Sequence, residues 1–143
     1  LLRGKGIYFV GCPFPAMRED VALLRERALR AFELAKKAFE DENYDWAVFL
    51  LEQACQLLLN HLLASKIGYF SRTHSLDRLL DEAAEVFREV SGFRERFRDK
   101  LGVLEDAYIA SRYLARRYMK GGVEGLFVVF EELWRLVCSY EAC

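Results

Sequence analysis

The sequence predicts an all-α protein, a bundle of about five up-and-down helices. Three observations lead to this prediction. Both prolines lie within the first 15 of 143 residues, so helix-favouring Leu, Ala, Glu, Arg and Lys continue almost uninterrupted afterwards. Apolar residues recur at three- and four-residue spacing, and no alternating strand pattern or internal repeat is present. The length suits a single domain with one core.

The N-terminal region differs from the rest of the chain. Residues 1–16 are rich in Gly and Pro, and we interpret them as an arm. Residues 17–143 are predicted to form one helical domain. Its first helix is predicted from Arg18 to Phe39, where apolar residues mark one buried face, and the polar residues 41–43 end it.

The second helix, predicted from Tyr44 to Ile67, is apolar nearly all round and ends at Gly68. A narrow polar strip remains, consisting of Glu52, Gln53, Gln56 and Asn60. Such a helix is buried on several sides, so it is a central element, a dimer surface, or both. The residues predicted to contact a second copy are Trp46, Leu50, Leu57, Leu58 and His61.

Three further helices are expected. One starts at Thr73 or Ser75 and ends before Ser91–Gly92. A long arginine-rich helix spans about 93–119 with a bend near Gly102, and the last runs over about 123–140 after a pair of glycines.

Composition excludes several function classes. The net charge of −1 provides no general attraction to nucleic acid or to an anionic membrane. No apolar run approaches the roughly 20 residues that cross a bilayer. The four cysteines form no CxxC pair, so we expect free thiols in a reducing cytoplasm and no metal site. Phosphate-binding glycine motifs are absent, and we expect no cofactor.

Two groups of residues are candidates for binding. Arg72 and His74 precede a helix, whose N-terminus attracts anions, although His74 can equally serve to buttress the turn. Arg112 and Arg116 share a helix face with Lys120, within a longer basic stretch that begins at Arg94. These cations repel one another unless carboxylates of the same chain, a phosphate or an acidic partner neutralises them.

Three short elements follow one another between residues 20 and 120. Residues 45–63 begin with DWAVFLLEQACQ and end in paired leucines, His74-Ser75-Leu76 comes next, and YIASRY occupies residues 108–113. In this order they resemble the HEPN domain family. The first resembles its Gln-Ala-rich second helix, the second its His-Ser-Leu element and the third its later Tyr…Arg-Tyr element.

The resemblance implies a bundle of about five helices that is commonly dimeric. It also implies a partner, since members are often encoded beside a minimal nucleotidyltransferase in toxin–antitoxin-like pairs, and nucleotide binding has been proposed for the class. Some branches are metal-independent RNases that use an Arg followed by a His after four to six residues. No arginine stands at that spacing before His61 or His74, and the general base is therefore missing.

The leading hypothesis is a cytoplasmic, homodimeric, non-catalytic component of a nucleotidyltransferase-associated system. In it, Arg72, His74, Arg112 and Arg116 bind a nucleotide, RNA or an acidic partner. One alternative is an RNase toxin with a rearranged site, in which His74 is the base and Arg112 stabilises phosphate charge. Another is a purely structural dimerisation module. Amides at Gln56 and Asn60, where relatives often carry Glu and Lys, favour a packed interface.

Overall fold

The computed structural model describes residues 14–15, 18–113 and 117–141, and these residues confirm the all-α prediction. Within them lie six helices rather than about five. The helices are α1 (Arg18–Glu40), α2 (Tyr44–Ile67), α3 (Leu76–Val86), α4 (Arg88–Arg96), α5 (Arg98–Tyr113) and α6 (Lys120–Cys138).

The described part of the predicted arm contributes a short strand. β1 (Phe14–Pro15) pairs antiparallel with β2 (Tyr69–Phe70), which follows α2, and Phe14 lies opposite Phe70. The remaining residues of the arm, 1–13 and 16, lie outside the described residues. The pairing places the N-terminal chain beside the segment that leads to His74.

Helices α1 and α2 form a hairpin with extensive contact. The apolar face of α1 is buried at Ala28, Phe32 and Ala35, and the Phe32 ring stacks on Phe130 of α6 with 4.4 Å between centroids. Asn43 precedes α2 but forms no side-chain cap; its carbonyl oxygen accepts from the N–H of Ala47 at 3.0 Å. Helices α1, α2 and α6 therefore pack together in this part of the core.

Helix α2 is the central element, as predicted, and packs against α1, α3, α5 and α6. It ends at Gly68, which adopts a left-handed conformation (φ 85°) and donates its N–H to Ala64 at 3.0 Å. Among the described residues it is also the one helix long and apolar enough to cross a membrane. However, 72% of its most apolar window is buried inside the bundle, which is typical of a core helix.

The breaks between α3, α4 and α5 do not lie at the predicted glycines. Gly92 and Gly102 are helical and exposed, whereas the breaks fall at Phe87 and Phe97. Phe87 has an extended backbone (φ −120°, ψ 109°), and its buried ring packs against Tyr140 at 4.7 Å. Burial of a phenyl ring outweighs the cost of about 1 kcal/mol for a helical glycine, so packing decides where the chain turns.

The cysteines differ from one another. Cys55 is free and fully buried on α2, and burial raises the pKa of its thiol, which keeps it unreactive. Cys138 is disulfide-bonded, so the expectation of free thiols is wrong for this residue. Spacing along the sequence does not show which cysteines a fold brings within bonding distance.

Candidate functional site

The three sequence elements that resembled a known family meet at the loop before α3. Gln56 on α2 donates from its Nε2 to the backbone oxygen of His74 at 2.8 Å. On the other side, the His74 ring stacks on Tyr108 of α5, with 5.3 Å between centroids and 10° between planes. His74 is exposed. Its backbone is therefore anchored to one helix and its ring to another, which presents the imidazole edge to solvent.

The predicted binding residues are only partly brought together. Arg72 is exposed in the same loop as His74. Arg112 lies on α5, four residues after Tyr108, so both positions share one helix face and lie one turn apart. The Arg112 side chain and the whole of Arg116 lie outside the described residues.

The predicted anion site at the N-terminus of α3 is already occupied. Ser75 caps the helix by accepting from the N–H of Arg78 at 3.1 Å. The carboxylate of Glu105 on α5 accepts from the Ser75 hydroxyl at 3.0 Å and from the N–H of Asp77 at 2.9 Å. Negative charge is favourable at a helix N-terminus, and here Glu105 of the same chain supplies it. Binding of a further anion by the Arg72 and His74 side chains stays a prediction.

A buried carboxylate lies behind this loop. The side chain of Glu52 on α2 has no exposure and accepts hydrogen bonds from Gln53 at 2.7 Å and from Gln56. Desolvation raises its pKa from 4.5 to about 7; the two amide donors act against this rise, and the Glu105 charge adds to it. Gln56 thus connects a proton-binding group to the backbone of His74.

Sequence reasoning missed both carboxylates, although one signal pointed to Glu52. The sequence pattern groups Glu52 with a polar strip. However, Val48 and Cys55, which lie one turn before and after Glu52, are fully buried. A residue between such neighbours on one helix face is buried as well. Nothing in the sequence pairs Glu105 with the start of α3, because that contact joins distant segments.

The basic stretch is largely neutralised within the fold where the structure describes it. Arg94 forms ion pairs with Asp77 and Asp81. Arg96 pairs with Glu132 of α6 at 3.1 Å, and Arg98 pairs with its neighbour Glu95. For α4 and the start of α5, these contacts favour neutralisation by carboxylates of the same chain. For the cations near Arg112, binding of a phosphate or an acidic partner stays a prediction.

The predicted interface residues divide into two sets. Trp46 is 58% exposed, and Leu50 and Leu57 are half-buried, so these three can contact another molecule. Leu58 and His61 are 0% and 2% exposed, so they belong to the core, and their assignment to an interface is wrong. Leu58 faces the neighbouring helices of the same chain. His61 lies on the same side of α2 as Leu50, but Val21 and Glu141 cover it.

The exposed side of α2 forms a continuous uncharged surface, which we call the α2 strip. It is defined by Trp46, Phe49, Leu50, Gln53, Leu57 and Asn60, which fall within about a third of the helix circumference. The Trp46 and Phe49 rings touch edge to face at 5.8 Å. The Asn60 Oδ1 atom is shielded from solvent and has no hydrogen-bond partner.

His61 instead joins three parts of the chain. Its Nδ1 lies 2.7 Å from the backbone oxygen of Val21, and its Nε2 lies 3.0 Å from the Glu141 carboxylate. Both ring nitrogens therefore lie within hydrogen-bonding distance of an oxygen atom of the same chain. Ser65 donates to the same carboxylate at 3.3 Å. This arrangement is structural, since neither nitrogen is directed at solvent.

No cluster of three or more His, Cys, Asp or Glu side chains that could hold a metal ion occurs among the described residues. At the His74 surface the described residues supply an imidazole and a neighbouring phenol, near the positions of Arg72 and Arg112. These groups suit recognition of a flat or anionic ligand.

Comparisons with known proteins agree with this architecture. The crystal structure of TT1696 from Thermus thermophilus superposes with a TM-score of 0.67 and 23% identity, covering 82% of this chain and 94% of that one. This likeness shows the fold. No curated protein matches significantly. The family model described as HEPN domain matches residues 21–140, which is most of the sequence. The chain therefore belongs to the HEPN domain family.

Proposed function

We propose that this protein is a non-catalytic HEPN module that forms a homodimer and acts as the recognition partner of a nucleotidyltransferase-like protein. The observation that carries the homodimer is the α2 strip. The strip lies on the most buried helix of the bundle, yet it remains half-exposed and contains no charged side chain. Depletion of charge and enrichment in aromatic residues mark the centres of protein interfaces.

The non-catalytic part of the proposal is supported by the missing Arg–His pair and by the contacts of both histidines. His61 is enclosed in the core with both nitrogens bonded. At the α3 N-terminus beside His74, the N–H of Asp77 is bonded to the Glu105 carboxylate, whose negative charge disfavours a phosphate there. Family membership supports the nucleotidyltransferase partner, and we expect co-expression with such a protein to yield a complex detectable by native mass spectrometry.

The homodimer is tested by sedimentation velocity over a range of concentrations. We expect the wild type to be a dimer and Trp46→Glu to be a monomer, because a charge would be buried in the apolar contact. Leu34→Glu is the matched control, since Leu34 on α1 is 51% exposed but lies outside the strip. Circular dichroism must show that both variants are folded. A monomeric wild type, or equal loss of the dimer in both variants, would contradict the proposal.

A second candidate function, binding of a nucleotide or RNA at the His74 surface, is favoured by the stack of His74 on Tyr108 beside the Arg112 position. Thermal shift with nucleotides and an RNA cleavage assay test it. His74→Ala should abolish any shift, whereas Arg88→Ala, an exposed arginine at the start of α4, should not. If the wild type shows neither a shift nor cleavage, the surface serves only in contacts with proteins.

A further inference from the structure

The outer face of α1 carries a regular row of exposed residues. Their spacing alternates between four and three residues, and we call them the α1 seam: Leu23, Arg27, Arg30, Leu34 and Lys37. Leu23 is 40% exposed and Leu34 is 51% exposed. Alternation of four and three residues keeps all five positions on one side of the helix, and it is the spacing with which one helix packs lengthwise against another.

The three cations of the α1 seam are not neutralised within the part of the chain that the structure describes. No ion pair or side-chain hydrogen bond there involves Arg27, Arg30 or Lys37, and all three side chains are exposed. The neighbouring Lys36, by contrast, pairs with Glu33 at 3.3 Å and lies over the Phe32 ring at 4.9 Å. Cations on one helix face repel one another, so a surface that brings carboxylates to them is stabilised by the contact.

A row of carboxylates runs along one flank of the α1 seam. Four exposed glutamates lie seven residues apart, at Glu19, Glu26, Glu33 and Glu40. Because seven residues make about two turns of a helix, these side chains form one acidic line beside the cations. Three positive and four negative charges give the seam and its flank together a net charge of −1. This arrangement disfavours a polyanion such as RNA and favours a protein helix that presents charges of both signs.

A second copy of α1 does not fit the α1 seam. The two arginines lie between Leu23 and Leu34, so an antiparallel copy that places leucine against leucine also places Arg27 against Arg30. A parallel copy that aligns the leucines places each arginine against itself. Like charges held opposite each other disfavour both arrangements, and the occupant is therefore a different chain.

We propose that the α1 seam binds an acidic amphipathic helix of a partner protein. Leucines of that helix cover Leu23 and Leu34, and carboxylates between them accept hydrogen bonds from the guanidinium groups of Arg27 and Arg30. The inference rests on the proposed role as a recognition partner and names the surface through which the partner is bound. It leaves the α2 strip available for the homodimer, because α2 packs against the other face of α1.

A charge swap tests the α1 seam with a defined probe. The probe is a fluorescent peptide with the pattern Leu-xxx-Glu-xx-Glu-xxx-Leu, held helical by a side-chain staple, and its counterpart carries Lys in place of both Glu. By fluorescence anisotropy, the wild type should bind the acidic peptide at least about tenfold more tightly than the basic one. The double variant Arg27→Glu with Arg30→Glu should reverse this preference, and high salt should weaken both contacts.

The matched control is Arg78→Glu with Arg88→Glu, which reverses two exposed arginines on α3 and α4 and should bind as the wild type does. Circular dichroism must show that both double variants are folded. If the first does not fold, Arg27→Gln with Arg30→Gln should lose the preference for the acidic peptide. Peptides that bind neither protein, or that bind the seam variant as they bind the wild type, overturn the proposal.

Co-expression with a nucleotidyltransferase-like protein separates this inference from the proposed function. A complex in native mass spectrometry that the seam variant loses and the control keeps supports both. A complex that the seam variant retains overturns the α1 seam as the docking surface and leaves the proposed function standing. If no complex forms but the peptide preference reverses as expected, the proposed function is overturned and the helix-binding seam stands.

Discussion

The buried Glu52 makes a quantitative prediction about stability. Its pKa is raised from 4.5 to about 7 in the folded chain, chiefly by desolvation. Between these two values the folded state binds more protons than the unfolded state, so the free energy of unfolding must fall as pH rises. Below the unfolded pKa the stability is fully present, and above about pH 7 both states are ionised and the dependence ends.

The size of the effect follows from the same values. At about 1.4 kcal/mol per pH unit, the wild type should lose about 3 kcal/mol between pH 4.5 and 7. Glu52→Gln removes the titration but keeps only one acceptor for the two amide donors, which costs about 1 kcal/mol. The variant should therefore be slightly less stable than the wild type in acid and about 2 kcal/mol more stable at alkaline pH.

Urea denaturation of both proteins at several pH values measures this difference directly. Glu131→Gln, which removes a carboxylate at an exposed position on α6, serves as the control. A difference in the free energy of unfolding between Glu52→Gln and the wild type that stays constant from acid to alkaline pH would contradict the prediction. A loss of stability of the variant relative to the wild type as pH rises would contradict it as well.

The remaining predictions concern the fold. Leu58→Ala should cost 2–5 kcal/mol, roughly, because the side chain is fully buried, whereas Leu34→Ala should cost well under about 1 kcal/mol in the same urea titration. Ser75→Ala removes the α3 cap and one partner of Glu105, and should lower stability by about 1–2 kcal/mol; equal stability would show that Glu105 holds α3 alone. Gly68→Ala meets no neighbouring atom but strains a backbone with φ 85°, so thermal unfolding should show a loss of about 1 kcal/mol.

Sequence periodicity was sufficient where one helix face is uniformly apolar. It predicted both ends of α2 and the start of α1, because polar residues and Gly68 mark them locally. It failed at the breaks beside α4, where glycines suggested ends and buried phenylalanines decide them. A local sequence pattern does not show the tertiary contacts that stabilise a helix break at Phe87 or Phe97.

The candidate site shows the same division. His74, Ser75 and Tyr108 could be selected from the sequence, and the structure places them together. The role of Glu105 could not be predicted, because it depends on a contact between segments about 30 residues apart, which only the packed bundle creates. Likewise, the sequence does not show that the fold brings Asp77 and Asp81 next to Arg94, where they neutralise its charge.

The contacts of His61 determine how the two ends of the bundle lie. Val21, at the start of α1, and Glu141, just after α6, both bond to this one imidazole, so they are separated by little more than the width of a ring. One side chain of the central helix α2 therefore fixes the first turn of α1 against the residues that follow α6. Loss of this imidazole should loosen both segments together, although they lie far apart along the chain.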